Sequence, residues 1–408
     1  MRRMWALLAV LVLAGGVSRG DDWSGDGLVT RSERREESGE KDRRIAALLK
    51  DNELDGLLLT KFRNQAWALA GSDVHIVVSE TQSPVWLLAL PGGKKYLISN
   101  NIEAKRLMDE ENLGDCGVEA KTFPWFYGVS GSGDYRVRML QDLIGGGQVG
   151  SDSGVDGTVD ISGALAAERF PLTATEVRKY RWLGENTALA VMDVCKTIVP
   201  GMSENRIAGM TAARLHEAGI TPTVVLIGTD ERLEHYRHLT PTPKKLKKYA
   251  LVNVCAERWG MVVAVSRLVH FGPVPEVIER NMRACARVDA VYLANSKAGV
   301  TFKEIFGKAS EAYTQAGFAE EWRRHHQGGA IGYFEREFLA APESDEKVVL
   351  GMALAWNPTL PGVKCEDTVL VTDGGFEVMT PTPGWPMIEI SLNGLIYKRP
   401  GILVRQMP

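Results

Sequence analysis

Two short segments hold four of the seven histidines of this 408-residue chain: His235 and His238 in EHYRHLTPT, and His325 and His326 in HHQGGAIGYFERE. Histidine is the side chain best placed to move protons at neutral pH, and neutral imidazole is a common metal ligand. The second segment ends in an alternating tail, Glu335, Arg336 and Glu337, and a carboxylate pair, Glu366-Asp367, lies in KCEDTVLVT. These residue types allow two chemistries: metal coordination, or metal-free proton transfer between a histidine and a carboxylate. No histidine here has a neighbour at a spacing that by itself makes a metal site. Structural readings stand beside both. The HHQGG turn can spend its imidazoles on backbone carbonyls, the Glu335–Glu337 alternation can be a surface ion-pair ladder, and Glu366-Asp367 can cap a hairpin.

The elements around these residues fall into two groups. Residues 21–42 are polar and charged and read as a solvated linker. From Arg43, RRIAALLKDNEL reads as a helix, DGLLLT, VHIVVSE, PVWLLAL and KKYLIS as strands, and IEAKRLMDEENL as a helix again. This α/β stretch closes in a glycine-rich segment around residues 145–157. A second group opens with a long helix capped by Thr173 or Thr175, running to about Ile198 before Pro200-Gly201. A helix capped by Ser203 and stopped at Gly219 follows. Then come the strand TVVLIG, the apolar run YALVNVCAERWGMVVAVSRLVHFG, two more helices, and strands at MALAWNP, EDTVLVT and GFEVMT. Strands and helices in runs indicate an α+β domain with a curved antiparallel sheet.

Composition narrows the class. With 45% hydrophobic and 24% charged residues and a net charge of −3, the chain reads as globular, without the basic domain that nucleic acid demands. The basic run PKKLKK at 243–248 reads as a solvated face. Residues 1–20 have the form of a secretory leader. Arg2 and Arg3 precede an apolar stretch, and Ser18 and Gly20 stand at positions −3 and −1 of a cut before Asp21. No later segment has the roughly 20 apolar residues of a membrane span. Export and no membrane association after cleavage are therefore expected. The five cysteines form no CxxC pair, and those at 195, 255 and 285 sit in apolar runs as small buried hydrophobes.

Several of these pieces, in this order, resemble the pita-bread superfamily of aminopeptidase P, prolidase, methionine aminopeptidase and creatinase. They are LTATEVRKYR, PGMSE, YALVNVCAERWGMVVAVSR, HHQGGAIGY and GMALAWNP…KCEDTVLVTDGGFEVMT, while RRIAALLKDNELDGLLLTKFRNQAWALAG resembles the N-terminal domain of the creatinase and prolidase branch. The resemblance implies an N-terminal domain over residues 43–165, a pita-bread domain over 172–408, and a homodimer. It also implies a dinuclear metal centre held by two Asp, two Glu and one His. Carried over residue by residue, those positions are Asn253, Ala264, Gly329, Asn357 and Glu366, so four of the five ligands are absent. One carboxylate would face four positive charges, and neither hard nor borderline cations are served by two amides, an alanine and a glycine. No metal or other cofactor is expected there.

Other family positions keep usable groups. His325 matches the first histidine of an H-x-x-x-H turn, and His238, in preference to His235, matches an upstream catalytic histidine. Arg336 stands where the family has a further histidine, before a matching Glu337. Creatinase, a metal-free hydrolase that works through a histidine and substrate-binding glutamates, supplies the template. The expected catalytic set is His238, His325 and Glu366, with Asn253, Asn357, Glu335, Glu337, Arg336 and Arg267 binding a small amide, amidine or peptide-like substrate. A glutamate buried in the former metal pocket is expected to have its pKa raised for acid–base work unless an arginine such as Arg267 or Arg336 pairs with it. Two alternatives remain: an inactive descendant binding a peptide or protein partner in the old cleft, and a metal-dependent prolyl aminopeptidase, which the missing ligands oppose.

Overall fold

The computed structural model describes residues 22–24, 27–128 and 134–407; the expected leader over residues 1–20 lies outside them. Helix α1 (Arg31–Asp51) begins twelve residues before the helix expected at Arg43 and replaces most of the expected linker. Thr30 and Glu33 form a reciprocal capping box that starts it. Three of its charged residues, Arg34, Glu37 and Lys41, are buried and partnered rather than solvated. Arg34 is buried and donates to Ser72 Oγ at 2.5 Å, and Glu37 receives Lys41 at 2.6 Å and Lys179 at 2.9 Å with all three side chains out of water. A polar composition looks the same whether its charges meet water or one another.

Strands β1 (Gly56–Lys61), β2 (Gln82–Ala89), β3 (Lys95–Asn100), β4 (Val118–Phe123), β5 (Val149–Ser151) and β6 (Val159–Asp160) form one mixed sheet in the order β4-β3-β2-β1-β5-β6. Around it lie α2 (Phe62–Ala68), α3 (Glu103–Glu110), α4 (Tyr135–Ile144) and α5 (Ser162–Arg169). The strand expected in VHIVVSE does not form. Strand β1 is already paired with β2 on one side and β5 on the other, and Ile76, Val77 and Val78 stay exposed.

The C-terminal half opens with α6 (Ala174–Thr197), and Thr173 rather than Thr175 is its cap. This helix lies hard against the chain at Met379: a Cβ on Gly184 would sit 2.0 Å from the Met379 carbonyl oxygen. Helix α7 (Glu204–Glu217), capped by Ser203, leads to β7 (Thr221–Thr229), α8 (Arg232–His235), β8 (Tyr249–Arg258) and β9 (Met261–Phe271). Every residue of β9 is buried, in keeping with its largely apolar run, and its polar members Ser266, Arg267 and His270 are buried too. Helices α9 (Glu276–Asn295) and α10 (Phe302–Gln315) cover the next strands, β10 (Gly328–Ile331), β11 (Phe338–Leu339), β12 (Ala353–Trp356), β13 (Thr359–Leu360), β14 (Val363–Lys364), β15 (Asp367–Thr372) and β16 (Gly375–Val378). A hairpin of β17 (Met387–Leu392) and β18 (Leu395–Pro400) precedes β19 (Ile402–Arg405).

Two main sheets result, β19-β9-β8-β7 and β11-β10-β12-β15-β16. They join where Ser266 N donates to the Glu366 carbonyl at 3.1 Å and where Thr368 Oγ1 bonds both the N–H and the C=O of Ala264, at 2.8 and 2.9 Å. The expected two-domain architecture is therefore present, α/β followed by α+β, although β19 joins its sheet parallel to β9. All five cysteines are free and buried.

Candidate functional site

The junction of the two C-terminal sheets brings Glu366 into the interior, 1% exposed, at the entrance of β15. Four groups hold its carboxylate. Asn253 Nδ2 and Ser266 Oγ each donate to Oε2 at 2.8 Å, Lys364 Nζ lies 3.1 Å from the same oxygen, and Arg336 Nη2 donates to Oε1 at 3.1 Å. Lys364 also reaches Asn253 Oδ1 at 3.3 Å. Burial alone would raise the Glu366 pKa, but Lys364, Arg336 and Ser266 outweigh it and lower it. Glu366 is thus a fixed anion, not the raised-pKa acid that proton transfer would need. Arg336 is one of the two expected partners; Arg267 is not. Lys364 was not anticipated, although in extended chain its place two residues before Glu366 puts both side chains on one side.

The dinuclear centre implied by the resemblance does not fit these residues. Both oxygens of the one retained carboxylate are committed to cationic side chains. The histidine position is sterically closed as well: Gly329 has φ +145°, and a Cβ there would lie 2.3 Å from Phe338 O and 2.9 Å from Ala340 N. Asn357 is buried with an Oδ1 that has no hydrogen-bond partner, and its backbone N–H is used on Gln327 O at 3.1 Å.

The remaining expected substrate-binding residues mostly turn away. Arg267 donates to Asp367 Oδ1 at 2.7 Å, Thr380 O at 3.0 Å and Ser266 O at 2.8 Å, and Asp367 is further bound by Arg399 at 2.9 Å. Its planar donors are consumed by the framework. Glu337 pairs with Arg169, both nearly out of water, and accepts from Tyr333 N at 2.9 Å. Glu335 is gripped by Arg63 of the N-terminal domain, Nη2 to Oε1 at 2.8 Å. The acid–base–acid tail is therefore neither a surface ladder nor a substrate clamp: its acids tie the two domains together while Arg336, between them, points inward. Beside Glu335 the domains enclose a cleft of about 470 Å³ lined by Phe62, Arg63, His75, Thr223, Glu257 and Phe334 among others.

The histidines do converge. His325 and His238 approach with Nε2 atoms 3.3 Å apart, and His326, which the sequence reading did not select, completes a triad whose ligand atoms all lie within 4.8 Å of one another. His235 stays outside the triad, packing on Tyr236, so His238 is the one that meets the turn. The loops are clamped from both sides. Arg237 pairs with Glu321 at 2.8 Å, and Gln327 donates to His325 O at 2.7 Å while accepting from Tyr313 OH at 2.8 Å. Burial, then Lys364 and the neighbouring rings, push His325 down to about 2; burial, then Arg336 and Lys364, push His326 down to about 4. His238 is lowered by burial and Lys364, with Glu366 acting in opposition. All three rings are neutral at neutral pH. None makes a hydrogen bond to Glu366, so the expected catalytic trio separates into an imidazole cluster and an ion-paired carboxylate.

Residues 178–373 match the profile of metallopeptidase family M24. An uncharacterized peptidase of Staphylococcus epidermidis is 23% identical over 210 residues, covering 47% of this chain and 59% of that protein, so the chain spans less than two thirds of it. Among solved structures, an Xaa-Pro dipeptidase from Bacillus anthracis superposes with a TM-score of 0.70 at 18% identity, over 90% of this chain and all of that one. Dipeptidase PepE from Mycobacterium ulcerans gives 0.71 at 18% identity, over 91% and 99%. At such identities the likeness is one of fold. Residues 178–373 are therefore a metallopeptidase family M24 domain, set in the two-domain pita-bread fold of these dipeptidase structures.

Proposed function

We propose that this protein binds a peptide-like ligand in the cleft between its domains and does not hydrolyse it with the dinuclear metal chemistry of its family. The carrying observation is the pairing of Lys364 and Arg336 with Glu366: the only family ligand left is neutralised by two fixed cations. The cleft supports the ligand class. Its volume suits a small molecule or short peptide, and Phe62 and Phe334 supply apolar surface between Arg63, Glu257 and Glu335. The test incubates purified protein with Xaa-Pro dipeptides and Mn²⁺ or Co²⁺, and in parallel measures peptide binding by calorimetry. Saturable binding, weakened by Phe334→Ala, without turnover is expected. Metal-dependent cleavage abolished by chelator would overturn the reading.

A second reading, metal-independent hydrolysis of a small amide or amidine, is favoured by the 3.3 Å contact between His238 and His325. This contact joins an exposed imidazole to a buried one, a geometry suited to passing a proton. Turnover of a small-amide panel that disappears in His238→Ala would select it. Export belongs to the proposal too, supported by the leader-like residues 1–20, and a mature protein beginning at Asp21 would carry it. A homodimer is expected from the family and is read by sedimentation.

A further inference from the structure

The triad of His238, His325 and His326 fits none of the five family ligand positions, and its geometry is that of a ligand set. We propose that these three imidazoles bind a single borderline transition-metal ion, of the Zn²⁺, Cu²⁺ or Ni²⁺ class, beside the closed ancestral centre and distinct from it. Two nitrogens each about 2.0–2.1 Å from one tetrahedral ion lie roughly 3.3 Å apart. The Nε2 atoms of His238 and His325 already stand at 3.3 Å, and the third ring has its ligand atom within 4.8 Å of theirs. A small rotation of His326 would complete the set.

Two independent observations point to a ligand. The Nδ1 atom of His326 is buried and has no hydrogen-bond partner. A buried polar atom without a partner is costly, and a metal ion would accept its lone pair. The backbone that carries them is also fixed in advance. The Arg237–Glu321 pair joins the loop of His238 to the turn before His325, and Gln327 locks the turn behind it through His325 O and Tyr313. Such bracing is what a metal site requires and what a solvated turn does without.

The donor set also selects the ion. It is all nitrogen and uncharged, and Glu366, the carboxylate whose charge acts on His238 and His326, is spent on Lys364 and Arg336. Hard Mg²⁺, Ca²⁺ and Mn²⁺ prefer oxygen donors, whereas Zn²⁺, Cu²⁺ and Ni²⁺ are served by imidazole. Lys364 and Arg336 add positive charge nearby, which favours a negatively charged fourth ligand such as hydroxide or chloride over a neutral one. A pocket of about 400 Å³ opens beside His325 and His326, giving the ion a route from solvent.

This inference is independent of the proposed function, because its test reads metal and not turnover. Chelator-stripped full-length protein is titrated with ZnCl₂ and, separately, with CoCl₂. One equivalent of zinc per chain and the visible absorption of tetrahedral cobalt are expected. His238→Gln, on the exposed ring, should weaken zinc binding by about 100-fold or more while circular dichroism stays unchanged, and His326→Gln should do the same. Glu366→Gln, if folded, should leave zinc affinity within a few-fold. The proposal is overturned by sub-stoichiometric binding, by affinity indifferent to both histidine variants, or by zinc lost in Glu366→Gln and not in the histidine variants, which would put the ion in the ancestral pocket.

Discussion

Lys364 Nζ stands 3.1 Å from Glu366 Oε2, with the two side chains 5% and 1% exposed. A lysine thus contributes positive charge at the one carboxylate retained among the positions of the implied metal centre. Removing one partner of a buried pair leaves the other charge poorly compensated, which costs roughly 3–5 kcal/mol. Here Arg336 also serves Glu366, so Lys364→Met is expected to lose about 3 kcal/mol, at the low end of that range. Urea unfolding with an unchanged slope checks it; an unshifted midpoint would remove the pair from the stability account.

The same carboxylate sets a pH dependence. The pKa of Glu366 is lowered in the folded protein, so its contribution is present above the unfolded value of about 4.3 and is lost as pH falls below it, through the folded value. Wild type should therefore lose stability faster than Glu366→Gln on acidification below about pH 4.5. Equal acid limbs in the two proteins would contradict the pairing.

Glu257 has the opposite sign. Burial raises its pKa to about 7, against the lowering effects of His75 and the Gly260 N–H. A raised folded value stabilises fully below the unfolded pKa, and that stability disappears as pH rises through the folded value. Between about pH 4.5 and 8 wild type should lose about 3 kcal/mol relative to Glu257→Gln. Denaturant midpoints across that range provide the measurement, and parallel curves would rule out the buried acid.

Restoring the family histidine should fail. In Gly329→His the new Cβ would begin 2.3 Å from Phe338 O on a backbone at φ +145°. Strain of both kinds is expected to cost several kcal/mol, on the order of the larger point-mutant losses of 4–5 kcal/mol. The variant should melt well below wild type and gain no manganese binding. A stable variant that binds manganese stoichiometrically would show that the pocket can reopen.

The two domain staples should differ in strength. Arg169 and Glu337 are 5% and 2% exposed, so Arg169→Ala is expected to cost roughly 3–5 kcal/mol. Arg63 and Glu335, at 17% and 28%, are partly screened, and Arg63→Ala is expected to cost about 1 kcal/mol or less. Thermal unfolding of the two variants side by side tests the ordering.

Much of this was legible in the chain itself. Capping residues such as Thr173 and Ser203, the largely apolar run over Met261–Phe271 and the order of the motifs determined the two-domain fold. Those features are local, and a sequence displays local propensity directly. The tertiary structure decided what was not local. It placed His326 beside His238, 88 positions apart along the sequence, and sent Lys364 rather than Arg267 to the Glu366 carboxylate. It turned Glu335 and Glu337 toward the arginines of another domain and made a helix of the charged residues from Arg31, with Arg34, Glu37 and Lys41 buried. The partner of a charge is set by long-range packing, and a side chain's identity does not reveal whether water, metal or another residue will meet it.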